Sequence, residues 1–389
     1  MLLFFGIFFT VYGLLNFYIF LRGWQSLAAI EPARPYYIGL FLFLGLSFLG
    51  GRLLERFWPS PVSAALIWAG SYWFGAILYF ILALVFLDLL RLTNAIVPWF
   101  PSSVNTGYPV VKAWLAGGIA LVVVLLLGAG TINALHPKIH RMTVTLPKTL
   151  EGAQSMSIAV ASDVHLGTLI GRGRLQNLVE TVNDLEPDLI LLPGDIVDED
   201  LGPVIRQNLG AMLGQLHARY GVYAVTGNHE YIGGVDAACE YLREHGVTFL
   251  RDSVVRLNNG LIVAGREDLS IRQFKGHGRT PLARLLAGID ASHPLILMDH
   301  QPIRLNEAAE SKVDLQLSGH THDGQLWPLT YITRAVYQLS RGYMRIGQTH
   351  YYVSSGFGTW GPPARLGNRP EVVFITLTCN GTAEDQKEG

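Results

Sequence analysis

The first third of the chain is a series of long apolar stretches with few polar interruptions. We predict transmembrane helices at about 1–21, 35–56, 62–87 and 113–135. A helix needs roughly 20 apolar residues to cross the hydrocarbon core of a bilayer. The second stretch reaches this length if Arg52 and Arg56 extend their charges toward the interface. The prolines between residues 92 and 111 predict a loop there. Residues 1–135 are therefore predicted to form a four-helix transmembrane anchor.

Beyond residue 135, short runs of Val, Ile and Leu alternate with amphipathic helical patterns. The predicted strands cover 156–162, 188–192, 222–226, 261–264, 294–298, 314–318, 351–354 and 371–377. The predicted helices cover 172–185, 203–219, 235–245, 280–288 and 303–311. Apolar strands separated by helices are typical of an α/β domain whose sheet is covered on both faces. We therefore predict a layered α/β domain over 142–378 and a polar tail over 379–389.

Charge is distributed as unevenly as hydrophobicity. The 389 residues include 29 Lys/Arg and 30 Asp/Glu, yet residues 1–135 hold only nine of these and none of the 12 His. The mean hydropathy of +0.31 is too high for an ordinary soluble enzyme or a disordered chain. A net charge of −1 argues against a general nucleic-acid binder, so no nucleic-acid partner is expected. The composition predicts a multi-pass protein of the cell membrane, with the lipid bilayer as a partner.

The side of the membrane on which the polar domain lies is only weakly indicated. Four spans would leave the N-terminus and the polar domain on the same side, which carries five flanking Lys/Arg against four on the other. The positive-inside rule then slightly favours a cytoplasmic domain. Away from their ends, the predicted spans contain no acid, His or Lys pair that would mark an ion path, so an anchor is favoured over a transporter.

Polar side chains follow five of the predicted strands directly. These motifs are Asp163-Val164-His165, Gly194-Asp195-Ile196-Val197-Asp198, Gly227-Asn228-His229-Glu230, Asp299-His300-Gln301 and Gly319-His320-Thr321-His322. Ligand sites of α/β sheets form at the carboxyl ends of strands, so we expect the motifs to share one crevice. Each motif alone is a weak signal, because Gly-Asp and isolated His are common in turns. The five together, each at a strand end, form a specific pattern.

The side chains in these motifs suit metal ions. Carboxylate, imidazole and amide ligands fit Mn, Fe, Zn or Mg, and seven such residues fit two ions if one carboxylate bridges them. No Cys takes part, so a structural zinc knuckle is not expected. Cys239 and Cys379 are far apart, form no CxxC motif and are predicted to be buried thiols.

The five motifs, in this order over about 156–325, resemble those of the calcineurin-like metallophosphoesterases. The segments 318–325 and 352–359, with Arg365-Leu366, are similar to a membrane-associated subgroup, the transmembrane proteins with a metallophosphoesterase domain. The resemblance implies a calcineurin-like domain over 142–378. It also implies hydrolysis of a phosphoester or pyrophosphate bond by a hydroxide that bridges two divalent ions, with Mn²⁺ favoured and Zn²⁺, Fe²⁺ and Mg²⁺ left open.

The resemblance also implies a role for each motif residue. The implied metal ligands are Asp163, His165 and His322 for the first ion, Asn228, His300 and His320 for the second, and Asp195 bridging both. His229 would be the general acid that protonates the leaving group, and Asp198 would orient it.

Two departures from related families narrow the substrate class and the type of metal centre. Glu199 stands where protein Ser/Thr phosphatases carry Arg, which disfavours a phosphoprotein substrate. The segment 194–199 has no Tyr, which disfavours the tyrosinate-ferric centre of purple acid phosphatases.

The membrane anchor favours a substrate held at the bilayer surface, including a lipid-linked one. The aromatic segment 326–343 is either an amphipathic lip on the membrane or a structural excursion. A specific alternative is the UDP-diacylglucosamine pyrophosphatase activity of lipid A synthesis. An alternative of another class is a non-catalytic membrane protein that uses the fold as a binding module.

Overall fold

The computed structural model describes residues 2–380, which fold as two compact units. One unit extends to Ile132 and includes Gly361–Ala364, and the other comprises Asn133–Trp360 and continues from Arg365. Residues 381–389, which make up most of the predicted polar tail, lie outside the described residues, and so does Met1.

The first unit is built from apolar helices. Its helices are α1 (Leu2–Ser26), α2 (Arg34–Phe57), α3 (Pro61–Ile96), α4 (Ser102–Thr106) and α5 (Tyr108–Ala134). All but the short α4 are long and apolar enough to cross a membrane, and the mean hydropathy of their apolar windows ranges from 1.3 to 2.5. Large apolar side chains such as Leu46, Phe86 and Val124 are exposed on these helices. The predicted fold class, a four-helix apolar segment ahead of an α/β domain, is confirmed.

The region between the third and fourth long helices differs from its prediction. Much of the predicted loop at 92–111 is helical, because α3 continues to Ile96 and α5 already begins at Tyr108. Pro109 lies in the first turn of α5, where the missing N–H would have no helical partner in any case. Asp88, just past the predicted end of the third span, lies within α3 and binds Arg22 and the hydroxyl of Tyr18 on α1.

The second unit contains two six-stranded sheets. The first holds β1 (Lys138–Leu146), β2 (Ser155–Val160), β3 (Leu189–Pro193), β4 (Val222–Val225), β5 (Val247–Phe249) and β12 (Glu371–Cys379), in the order β1-β12-β2-β3-β4-β5. The second holds β6 (Ser253–Arg256), β7 (Ile262–Gly265), β8 (Leu295–Met298), β9 (Leu315–Ser318), β10 (Gly342–Ile346) and β11 (Thr349–Val353), in the order β10-β11-β9-β8-β7-β6. β2, β3, β4 and β5 run parallel, and so do β7, β8, β9 and β11.

The main core lies between the two sheets. Along β2, Ile158 and Val160 pack with residues of the second sheet such as Ile296, while Ala159 packs with the helices on the opposite face. This alternation follows from the two-residue period of a strand. Because helices also cover the outer face of the second sheet, the order of layers is helix, sheet, sheet, helix.

The covering helices are short. They are α6 (Arg172–Asn183), α7 (Leu201–Arg206), α8 (Leu209–Leu213), α9 (Asn228–Gly233), α10 (Val235–Glu244), α11 (Ile271–Lys275), α12 (Leu282–Leu285), α13 (Asn306–Glu310) and α14 (Leu329–Val336). The helix predicted at 203–219 is in fact α7 followed by α8. Asn208 lies between them with a left-handed backbone (φ 54°), which an α-helix cannot contain.

Candidate metal centre

The candidate site lies where strands of both sheets end. β2, β3 and β4 are parallel neighbours in the first sheet, and β8 and β9 are parallel neighbours in the second. Their carboxyl ends carry the five motifs identified in the sequence. The structure brings the nine predicted site residues together, namely Asp163, His165, Asp195, Asp198, Asn228, His229, His300, His320 and His322.

The first group comprises Asp163, His165 and His322, all of them buried. The Nε2 atoms of His165 and His322 lie 2.9 Å apart, and Asp163 Oδ1 lies 3.5 Å from His322 Nε2. Asp163 Oδ1 also accepts a hydrogen bond from the backbone N–H of His320 at 2.8 Å. The loop after β2 is thereby held against the loop after β9, so donor atoms from both sheets converge.

The second group surrounds His300, which is fully buried. His300 Nδ1 donates a hydrogen bond to the carbonyl of Pro193 at 2.7 Å, which leaves Nε2 to face the site. That Nε2 atom lies 3.3 Å from Asn228 Oδ1, and His320 Nδ1 lies 2.8 Å from the same oxygen. Three different loops therefore aim their donor atoms at one point.

Asp195 lies between the two groups. Its Oδ2 atom is 3.1 Å from His300 Nε2 and 3.9 Å from His165 Nε2. Its Oδ1 atom accepts the backbone N–H of His229 at 2.9 Å. The carboxylate of Asp195 is therefore positioned where it could bind a cation on either side.

His229 is grouped geometrically with His165 and Asp195, although the resemblance gives it no metal. Its Nδ1 atom lies 3.0 Å from Asp198 Oδ1, and Asp198 Oδ1 is also 3.7 Å from His165 Nδ1. The exposed ring of Trp360 lies 6.0 Å from the His229 ring, centroid to centroid. His229 is therefore held by an aspartate on one side and lies near an exposed aromatic ring on the other.

Several of these side chains stand on left-handed backbone. The φ angles are 53° at Asp163 and His165, 52° at Asp195, 72° at His320 and 47° at His322. A non-glycine residue pays roughly 1 kcal/mol or more for this conformation. Such strain persists only where the surrounding structure imposes it, and it concentrates at functional sites.

Glycines of the motifs leave room for the neighbouring site residues. A Cβ atom on Gly227 would stand 2.1 Å from Asp195 Oδ1, and one on Gly319 would stand 2.1 Å from Asp163 Oδ2. Neither carboxylate could keep its position beside a larger residue. The glycines of the GNH and GHxH motifs are therefore required by the close approach of side chains from other loops.

Burial and charge shift the titration of the central groups. Burial alone would raise the pKa of Asp195, but the positive charge of His300 outweighs it and holds that pKa well below its usual range. Burial opposes the charged form of His229, yet its close contact with Asp198 and the charge of Asp195 raise the pKa of His229 to about 9. Burial lowers the pKa of His322, and the nearby His165 and Arg365 lower it further.

Glu230 is a supporting residue to which the sequence assigned no role. Its buried carboxylate accepts four backbone N–H groups, from Asp195 at 3.1 Å, Ile196 at 2.7 Å, Val197 at 2.9 Å and Gly227 at 2.7 Å. It therefore ties the loop after β3 to the loop after β4. The only signal in the sequence was its place directly after Asn-His at the strand end.

Arg365 is the second supporting residue without an assigned role. Its fully buried guanidinium donates to the carbonyls of Gly356 at 3.2 Å and Gly358 at 2.7 Å, and to Asn368 Oδ1 at 3.1 Å. Asn368 in turn donates to the carbonyl of His322 at 2.8 Å. The pair therefore fixes the backbone that carries His322, through contacts that span more than 40 residues of sequence.

Divalent cations fit this set of donors. The buried Asp163 Oδ2 has no hydrogen-bond partner in the described part of the chain, which is costly for a carboxylate oxygen. The Nε2 atoms of His165 and His322 cannot both carry a proton at 2.9 Å, but both can donate lone pairs to one cation. Imidazole, carboxylate and amide donors without thiolate are those of Mn, Fe, Zn and Mg sites.

Comparison with known proteins agrees with this picture. The sequence model of the family described as calcineurin-like phosphoesterase matches residues 156–324. A protein of Aquifex aeolicus named as an uncharacterized metallophosphoesterase is 33% identical over 262 residues, which are 67% of this chain and 99% of that protein.

A vertebrate relative and a solved structure are also similar. A Danio rerio protein named transmembrane protein with metallophosphoesterase domain is 33% identical over 67% of this chain, which spans 62% of that relative. The crystal structure of a dimetal phosphatase from Danio rerio is 13% identical, with a TM-score of 0.36, over 59% of this chain and 100% of that one. The ordered motifs, and a relative covered almost completely at 33% identity, show that the chain belongs to the calcineurin-like phosphoesterase family.

Proposed function

We propose that the protein is a membrane-anchored, dimetal phosphoesterase that hydrolyses a phosphoester or pyrophosphate bond of a substrate held at the bilayer surface. The position of Asp195 between the two ligand groups carries this proposal. A carboxylate within 3.1 Å of His300 Nε2 and 3.9 Å of His165 Nε2 is suited to bridge two ions.

Each ion would be held by residues of both sheets. Asp163, His165 and His322 would hold the first ion, and Asn228, His300 and His320 would hold the second. Asp195 would contact both. Bound divalent ions lower the pKa of water and neutralise charge on phosphoryl oxygens.

His229 would supply the proton for the leaving group. A pKa of about 9 keeps its imidazole protonated at neutral pH, and the 3.0 Å contact of Nδ1 with Asp198 fixes the ring. Nε2–H is then the group that would donate to the leaving oxygen. Trp360, close to the same ring and exposed, would contact the leaving group.

The surface beside the site favours a membrane-bound substrate. The helix α14 exposes Tyr331, Ile332 and Val336, and Trp327 is exposed just before it. An apolar face flanked by arginines is typical of helices that lie in a membrane interface. With four apolar helices in the same chain, a lipid-linked phosphoester is the substrate class that fits best. The slight excess of flanking Lys/Arg favours a cytoplasmic domain, which a reporter fusion at the C-terminus would test.

The proposal is tested by hydrolysis assays on the full-length protein. Metal-stripped protein is given Mn²⁺, Mg²⁺, Zn²⁺ or a chelator, and turnover of p-nitrophenyl phosphate and bis-p-nitrophenyl phosphate is measured. We expect hydrolysis that depends on added metal. Asp195→Asn should lose bound metal and activity, whereas Asp290→Asn, at an exposed aspartate, should keep both. A metal-replete protein that is inert toward every ester would instead favour the non-catalytic binding module.

A further inference from the structure

A pocket of about 480 Å³ is lined in part by Asp323, the residue that follows His322 in the chain. It is formed by α14 and the segment that follows it, and among its lining residues are Asp323, Arg334, Tyr337, Gln338 and Arg341, which we call the arginine pocket. Two arginines in one concave site give it a positive character that the metal centre does not explain. None of the residues that line it is among the nine predicted site residues.

Asp323 lies close to both arginines but accepts no hydrogen bond from either. Its side chain is fully buried, and its Oδ2 atom lies 3.7 Å from Arg334 Nη2 and 3.7 Å from Arg341 Nη1. These distances are too long for hydrogen bonds but short enough for electrostatic attraction. Among residues 2–380, Oδ2 of Asp323 has no hydrogen-bond partner, so it attracts the two guanidinium groups through charge alone.

The arginine pocket is joined to the loop that carries the candidate ligands. Asp323 directly follows His322, and Thr321 donates a hydrogen bond to the carbonyl of Ser340. The ring of Tyr337 lies 6.2 Å from the ring of His320, centroid to centroid. A group bound between the arginines would therefore be a near neighbour of a group bound at the metal centre.

We propose that the arginine pocket binds a second phosphate group of the substrate while the first occupies the metal centre. This inference rests on the proposed phosphoesterase function and extends it to a substrate class, compounds with two neighbouring phosphate groups. Guanidinium groups match phosphate oxygens in geometry and charge, and two of them together can surround one phosphate. The two arginines and Asp323 together have a formal charge of +1, opposite in sign to a phosphate group.

The test uses competitors that differ by one phosphate group. The full-length protein hydrolyses p-nitrophenyl phosphate at a fixed free metal concentration, and the inhibition constants of methylenediphosphonate and methylphosphonate are compared. We expect the diphosphonate to bind more tightly in the wild type. In the double variant Arg334→Gln/Arg341→Gln this preference should fall about tenfold, the value expected from losing charge-assisted hydrogen bonds worth roughly 1.5 kcal/mol. Arg345→Gln, the same type of substitution at a single exposed arginine on β10, should keep it.

A second competitor pair identifies the source of the phosphates. Farnesyl diphosphate and farnesyl phosphate differ by the same group but carry it on a lipid. If only the farnesyl pair shows a preference for the diphosphate that depends on the arginines, the arginine pocket binds a lipid headgroup. If both pairs show this preference equally, the pocket binds the diphosphate group itself. An unchanged ratio in the double variant, for both pairs, overturns the inference.

A binding measurement separates this inference from the proposed function. Line broadening of the ³¹P signal of methylenediphosphonate is recorded with full-length protein kept metal-free by a chelator. We expect broadening with the wild type and with Arg345→Gln, and much less with the double variant. If no ester is hydrolysed but the broadening depends on the two arginines, the anion site stands and the phosphoesterase proposal fails. If the broadening is equal in all three proteins, the anion site is wrong.

Discussion

The Nε2 atoms of His165 and His322 face each other at 2.9 Å, although the two residues belong to loops of different sheets. At most one of the two nitrogens can carry a proton there, and burial with nearby positive charge holds the pKa of His322 well below its usual range. Two buried lone-pair donors aimed at a common point have an obvious shared partner in a cation. The protein portion of the site is thus already arranged for an ion.

Replacing the proposed general acid should lower turnover without removing metal. We expect His229→Gln to reduce kcat by roughly 10²–10⁴, the usual contribution of general acid catalysis. The loss should be larger for phenyl phosphate than for p-nitrophenyl phosphate, because phenol is the poorer leaving group. Metal content by mass spectrometry should match the wild type. His277→Gln, at an exposed histidine, is the control, and wild-type kcat in His229→Gln would contradict the role.

Replacing Glu230 should destabilise the loops that carry Asp195 and Asn228. Glutamine offers one acceptor oxygen in place of two, so some of the four backbone N–H groups lose their partner. An unsatisfied buried donor costs about 1–3 kcal/mol. We therefore expect Glu230→Gln to lower the unfolding free energy by about this amount in denaturant titrations of the solubilised full-length chain. Glu244→Gln, at the exposed end of α10, should have no such effect, and equal stability of both variants would be the contrary result.

The two cysteines should be unreactive in the folded protein. Burial raises the pKa of Cys239 to about 12 and that of Cys379 to about 11, and the thiolate is the reactive form. A raised pKa means that the thiols stay protonated at pH 8. Iodoacetamide at that pH should therefore add no label before unfolding and two labels after it, as read from the intact mass. Rapid labelling of the native protein would show that at least one thiol is accessible.

The exposed face of α14 should contact lipid. We expect a spin label on Ile332→Cys, in full-length protein in nanodiscs, to be more accessible to oxygen than to a water-soluble nickel complex. The same label on Ile205→Cys should show the opposite preference, since Ile205 is similarly exposed (52% against 59%) but lies on α7. If both labels behave as they would in water, α14 is a structural excursion and not a membrane lip.

The strands that carry the site were predictable, whereas the edges of the sheets were not. At β2, β3, β4, β8 and β9, a short apolar run predicts the strand and a polar motif follows it directly. Both signals therefore indicated the same strand ends. β1 was missed because much of Lys138–Leu146 is exposed and polar, and its pairing partner β12 lies more than 200 residues away. Hydrophobic periodicity carries no information about such a pairing.

Within the site, the motif residues were predictable but the supporting residues were not. His165 and Asp195 were predictable because each is a metal-binding residue type that closely follows a predicted strand. Glu230 and Arg365 act through backbone groups of other loops, which nothing in their own sequence neighbourhood reveals. The broken helix at Asn208 had a similar cause, because only the fold shows its left-handed backbone.

The arrangement of the two sheets has a consequence for how the domain is assembled. Asp163, His165, Asp195 and Asn228 stand on loops of one sheet, and His300, His320 and His322 stand on loops of the other. Each ion would therefore link the two sheets, and the free energy of metal binding would add to the free energy of folding. Metal binding would then be the last step in the assembly of the domain. A chelator would weaken the packing between the two sheets as well as stop hydrolysis.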